Sequence, residues 1–360
     1  MSTSLSQEDR FAGLLLGTAV GDALGLPAEG MSPARIRRRW AGDWRMRLLP
    51  GRGMVSDDTE HTFFVAQALL AAPRDPVAFQ RRLAAQLRWW LLALPAGVGW
   101  ATARACVRLW LGFAPERSGV WSAGNGPAMR SALLGAFFAE DPQRRREFVA
   151  AGTRLTHTDP RAETAALAVA EAAACIMNRE DLAADHLAKL RACGSMEEWQ
   201  RLCDRIEAAG RTGESVRDFA RSLGLERGVT GYAFHTVPVA LHAWLTQRGD
   251  FRGALTAALD CGGDTDTLGA IVGALAGCAC GEAGIPAGWL DGVCDWPRGT
   301  RHLRSAAARL AAAKLAGQPQ PAVRWCWPGV LPRNLFFLLV VLGHGIRRLL
   351  PPYGETSPRV

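Results

Sequence analysis

Two stretches of this chain carry glycine at every fourth position: Gly13, Gly17 and Gly21, then Gly269, Gly273, Gly277 and Gly281. Residues four apart share one helix face, so each set makes a stripe without side chains. Glycine costs about 1 kcal/mol against alanine inside a helix. Three or four on one face make sense where another backbone must come close. In lipid the same spacing marks a helix-pairing face. Here the first apolar run, Phe11 to Gly25, is short for a bilayer span of ~20 residues and contains Asp22. The stripes predict two helices deep in one water-soluble core, with each other as one available pairing.

The rest of the chain supports an all-α reading. Alanine- and leucine-rich usage with only two tyrosines leans towards helix, and no pair of apolar runs is joined by hairpin signals. Helices are expected over Phe11–Gly25, His61–Ala72, Ala162–Met177, Ala233–Leu245 and Phe251–Leu259. Residues 31–53 read as an irregular connection and 178–227 as exposed polar helices. Trp89 and Trp90 read as core or interhelix filler. Residues 1–317 are expected to form one catalytic domain. Residues 318–360 form an extension whose apolar run, Leu335–Leu342, is flanked by Arg333 and by Arg347 and Arg348. That run predicts a docked or surface-bound helix and no integral membrane span.

Net charge is +8, carried almost wholly by arginine. The densest run, Arg35-Ile36-Arg37-Arg38-Arg39, is short and isolated, and no nucleic-acid-binding signature accompanies it. A solvated basic surface is expected, without a nucleic-acid partner. The nine cysteines are odd in number and form no CxxC pair. With a polar, acidic N-terminus and no visible signal peptide, they predict a reducing, cytoplasmic setting and a monomer.

Two acidic helix starts carry the chemistry. Gly262-Gly263-Asp264-Thr265-Asp266-Thr267 leads into the second glycine stripe, and Ser56-Asp57-Asp58-Thr59-Glu60 lies far upstream. Helix capping explains one acid or hydroxyl per start, not doubled carboxylates. If the two turns meet, Asp57, Asp58, Asp264 and Asp266, with the hydroxyls of Ser56 and Thr267, form an all-oxygen donor set. Such donors suit two Mg²⁺ or Mn²⁺ ions and metal-assisted hydrolysis. Three further stretches have helix-entry or loop character. Gly124-Asn125-Gly126 allows close backbone approach to a phosphate or ribose, His157 lies in a polar turn, and Glu29 stands on a loop fixed by Pro27 and Gly30.

Taken in order, GDALGLPAE (Gly21 to Glu29), SDDT (Ser56 to Thr59), SAGNGPAMR (Ser122 to Arg130), THTDP (Thr156 to Pro160) and GGDTDT (Gly262 to Thr267) resemble the ADP-ribosylglycohydrolase family. The resemblance runs from about Phe11 to Trp289. It implies orthogonally packed helices in a compact bundle around a binuclear magnesium or manganese centre. It implies metal ligation by Ser56, Asp57, Asp58, Asp264, Asp266 and Thr267, and catalytic roles for Glu29, Asp58 and Asp264. ADP-ribose contacts fall on Gly124, Asn125, Gly126 and His157. Ser56 stands where the family commonly has threonine, and Ala123 where an aromatic residue often precedes Gly-Asn-Gly. The implied substrate is an ADP-ribosylated protein side chain or small acceptor. Rival readings are hydrolysis of another ribosyl or guanidino compound, and a non-catalytic ADP-ribose-binding member.

Overall fold

The computed structural model describes residues 5–40, 42–179 and 185–349. Residues 180–184 of the polar stretch and 350–360 of the C-terminal extension lie outside them. Among the described residues there is no strand, only helices and isolated bridges. The helices that build the core and the site are α1 (Gln7–Gly25), α2 (Pro33–Trp40), α3 (Asp57–Ala71), α4 (Gly126–Met129), α5 (Pro160–Asn178), α6 (Ala233–Thr246), α7 (Thr265–Cys280), α8 (Thr300–Ala316) and α9 (Val330–Leu349).

The two glycine helices pack on each other. Seen from α1, a methyl added at Gly13 would meet the carbonyl of Gly277, one at Gly17 that of Gly273, and one at Gly21 that of Gly269. The pairing runs in opposite directions along the two helices, so they are antiparallel and their backbones touch. Gly25 continues the seam against Thr265, whose Oγ1 donates to the Gly25 carbonyl at 2.8 Å. Gly281 closes the stripe: it ends α7 with φ of 70°, its carbonyl carbon still against Gly13 and Leu5 beside its α-carbon. Both helices are buried nearly end to end, and α3, α5, α6 and α8 surround them. This antiparallel seam places the C-terminus of α1 beside the N-terminus of α7, so the Glu29 loop and the Asp264 turn emerge together.

Ser6 caps α1 in a reciprocal pair with Asp9, which fits the acidic start read from sequence. Residues 31–53 are not wholly irregular, because α2 occupies Pro33–Trp40. That helix buries only Pro33 and Ile36, so it has no apolar stripe to betray it. Trp90 is core, whereas Trp89 is 45% exposed and stacks edge-on with Trp110 at the surface. None of the nine cysteines forms a disulfide. Burial pushes the thiols of Cys261 and Cys278 up to about 12, so these two serve as packing groups.

Helix α9 runs well beyond the apolar core of Leu335–Leu342. It begins from Trp327–Gly329 and lies across Leu26, Leu48 and Met54, into which Phe337 inserts. Among the described residues, two helices are long and apolar enough to cross a membrane, Gln7–Ala28 and Trp327–Arg348. The first is entirely interior, and the second is mostly uncovered.

Candidate active site

The five motifs meet at one end of the α1–α7 seam, held there by main-chain bonds. Gly30 N donates to the Gly263 carbonyl at 2.7 Å, and Gly263 N returns to Met31 O at 2.8 Å. Asp264 N donates to Val229 O at 2.8 Å, and Asn125 N to Gly231 O at 3.0 Å. Val120 and the His157 segment exchange bonds of 3.1 and 2.9 Å. Gly263 sits at φ 83° with the Val229 carbonyl where a side chain would begin, so only glycine fits this crossing.

The two acidic turns touch directly. Thr267 Oγ1 donates to Asp58 Oδ2 at 3.3 Å across 209 residues of sequence, and Ser56 Oγ donates to the same oxygen at 3.0 Å. Ser56 also caps α3 by accepting from Asp58 N, so neither Asp57 nor Asp58 is needed as a cap. Asp264 occupies the cap position of α7 without a side-chain capping bond. Its Oδ2 instead accepts from Asn125 Nδ2 at 2.6 Å.

Crowding burdens these acids. Burial, then the neighbouring carboxylates of Asp22 and others, raise Asp57 and Asp58 well above the usual carboxylate range. Burial, then Glu29, Asp264 and Asp58, do the same to Asp266. Two buried oxygens, Asp58 Oδ1 and Asp266 Oδ1, have no hydrogen-bond partner. Among the described residues, no three carboxylate, imidazole or thiolate groups are already assembled as a cation site. The donor chemistry nonetheless fits hard divalent cations: oxygen donors only, two orphaned lone-pair sites, and excess negative charge.

A cavity of about 600 Å³ opens over this cluster. Asp57, Asp264, Asp266 and Thr267 form its floor, while Asp58 and Ser56 lie behind it. Gly124, Asn125, Gly126 and His157 form one wall and Glu29 the other. Every residue singled out by sequence therefore falls on this cavity or directly behind it. Glu29 is reached by solvent, yet surrounding protein and then the Asp264 carboxylate raise its carboxyl, against the lowering effect of Arg348. His157 Nδ1 pairs with Thr156 Oγ1 at 2.9 Å, and that hydroxyl accepts from the buried Arg130 at 2.7 Å. Burial and Arg130 lower the imidazole to about 3. It is therefore neutral at working pH and acts as a wall, not as a charge: a Cβ added at Gly124 would meet its Nε2.

Sequence reasoning missed three contributors. Asp22 is fully buried and accepts from Ser56 N at 2.9 Å, Thr59 N at 3.1 Å and Thr59 Oγ1 at 2.5 Å. It fixes the first acidic turn, and burial raises it to about 6. A lone acid inside an apolar helix was the only available signal. Removing it by Asp22→Ala strands buried donors, so a loss of about 3 kcal/mol is expected in urea unfolding. Trp100 and Trp121, 77% and 71% exposed, line the cavity. They place aromatic surface near the position where Ala123 lacks it, and neither has a periodicity to mark it.

Comparison with known proteins bears on the same residues. The family model for ADP-ribosylglycohydrolase matches residues 3–320. The ADP-ribosyl-(dinitrogen reductase) glycohydrolase of Rhodospirillum rubrum is 30% identical over 300 residues, covering 80% of this chain and 92% of that protein. The ADP-ribosylarginine hydrolase Tri1 of Serratia proteamaculans is 26% identical over 302 residues, covering 79% and 75%. A solved structure described as an ADP-ribosylglycohydrolase-related protein complex superposes with a TM-score of 0.63 at 27% identity, covering 86% of this chain and 99% of its own. With the ordered motifs gathered on one cavity and the family match running nearly the whole length, the chain belongs to the ADP-ribosylglycohydrolase family.

Proposed function

We propose that this chain hydrolyses the bond between C1″ of ADP-ribose and the acceptor atom of a modified protein side chain or small molecule. Two Mg²⁺ or Mn²⁺ ions are assigned to Ser56, Asp57, Asp58, Asp264, Asp266 and Thr267. Bound there, they would supply Lewis-acid charge at the ribose end of the cavity and relieve the repulsion among the carboxylates. The observation that carries this reading is the contact of the two acidic turns, Thr267 to Asp58, on the floor of a cavity bounded by Glu29 and Asn125.

The remaining side chains divide the work. Glu29 faces the floor and, with its raised carboxyl, suits a general base for the attacking water. Asn125 fixes the orientation of Asp264 through its amide, which is itself held by Thr236 Oγ1 at 2.9 Å. Gly124 and Gly126 let sugar or phosphate oxygens approach the backbone closely. Arg104 supplies positive charge for a diphosphate at the mouth, and Trp100 and Trp121 offer faces for the adenine. Nine cysteines without a disulfide suit a reducing compartment.

The test is release of free ADP-ribose from arginine- and serine-modified proteins, with and without Mg²⁺ or Mn²⁺. Metal-dependent release from at least one linkage is expected. Asn125→Ala should lower kcat/KM roughly 10–100-fold by freeing Asp264. No release from either linkage by demonstrably metal-loaded protein would overturn the reading.

A further inference from the structure

Helix α9 is built inside out. Its polar side chains face the protein: Arg333 Nη2 reaches Asp295 at 2.5 Å and Val55 O at 2.6 Å, and Asn334 Nδ2 donates to Ala93 O at 2.8 Å. One turn after another, His344 Nε2 meets Pro27 O at 3.0 Å and Arg348 donates to the carbonyls of Pro27 and Glu29 at 2.5 and 2.7 Å. The opposite face carries Leu331, Leu335, Leu338, Leu339, Leu342 and Ile346, each 39–67% exposed. Every exposed position of α9 among the described residues is apolar, glycine or proline. A helix facing water has the reverse arrangement, and an apolar patch of this extent marks a contact surface.

The two ends of the helix say what it contacts. At its start Trp327 packs against Trp89, which meets Trp110, all three partly exposed. At its end Arg35 and Arg39 of α2 donate to the carbonyls of Arg348 and Arg347. Beside them lies a cavity of about 880 Å³ whose lining includes Arg39, Arg45, Arg47, Arg347 and Arg348 and no carboxylate. Asp43, outside that lining, offsets part of the charge on Arg45 and Arg47. An exposed leucine-rich face flanked by partly exposed tryptophans and by arginines is the side-chain set of a helix that lies in a lipid headgroup region.

We propose that the outward face of α9 seats the protein on an anionic bilayer surface, lying in the headgroup layer rather than crossing it. Crossing is excluded by the inward face, whose ion pair and hydrogen bonds fasten the helix along the protein body. A second copy of this chain is a poorer occupant, since it brings the same net charge of +8. The arginine-lined cavity is where phosphate headgroups would sit. This inference stands apart from the glycohydrolase reading, and its readout is binding alone.

The test is co-sedimentation of the full chain with phosphatidylcholine vesicles, with and without phosphatidylglycerol. Binding to the anionic vesicles that weakens with salt is expected. The combined variant Leu339→Ser, Leu342→Ser, Ile346→Ser should lower the partition coefficient at least about tenfold while keeping the wild-type melting temperature. Arg38→Glu with Arg45→Glu, both exposed positions, should remove about tenfold or more of the preference for anionic over neutral vesicles. The proposal fails if wild type stays in the supernatant, or if the serine variant binds as wild type does. It fails equally if sedimentation shows a dimer abolished by the serine variant while vesicles recruit nothing.

Discussion

Gly17→Ala is expected to cost about 4 kcal/mol or more, or to prevent folding altogether. The added methyl would coincide with the Gly273 carbonyl, and neither atom belongs to a side chain that can rotate away. Relief requires α1 and α7 to move apart, and both are buried from Phe11 to Gly25 and from Thr265 to Cys278. Separation would open voids on both sides and break the contact that brings Glu29 to Asp264. Equilibrium unfolding in urea measures the loss, or soluble yield does where the protein fails to fold. Gly210→Ala is the control: it lies in the helix Glu197–Thr212 with open space around it. There alanine should stabilise by roughly 0.5–1 kcal/mol. Equal outcomes at the two sites would mean that the seam is not a backbone contact.

Asp266→Asn should abolish metal-dependent activity, by about a thousandfold or more, while making the metal-free protein more stable. The two effects have one origin. Asp266 is buried beside Glu29, Asp264 and Asp58, and its Oδ1 has no partner. Folding raises its affinity for a proton, so its contribution to stability is complete below the ordinary carboxylate value. It is lost as pH rises through the higher folded value. Asp22 behaves alike, with a window from its usual 3.8 up to about 6. Metal-free wild type should therefore weaken from pH 4 upwards, and Asp266→Asn should weaken less. At pH 8 the variant should melt higher than metal-free wild type, with the gap closing towards pH 4. Added Mn²⁺ should raise the melting temperature of wild type and leave the variant unchanged. Equal metal-induced shifts in both would remove Asp266 from the donor set.

What could be read from sequence depended on whether a physical constraint left a period or a pair. The seam was legible because backbone contact between helices demands glycine on one face, and four-residue spacing records it. The acidic turns were legible because capping uses one oxygen and leaves the second carboxylate unexplained. Helix α2 was not legible, because a short helix burying only Pro33 and Ile36 leaves no stripe. Asp22 was hidden for another reason: its hydrogen-bond partners, Ser56 and Thr59, lie on a different helix start. Trp100 and Trp121 reach the cavity from loop and helix-entry positions, where side-chain direction follows from the fold alone.

The C-terminal helix changes where the working unit stops. The family resemblance ends at residue 320, yet Arg333 grips Val55, next to Ser56, and Arg348 grips the carbonyl of Glu29 itself. One rigid rod thus clasps the main chain beside both halves of the site. Shortening the protein at residue 320 would keep every motif and discard the clasp. The contacts that fasten the backbone beside the candidate site therefore come partly from outside the segment that the family model matches.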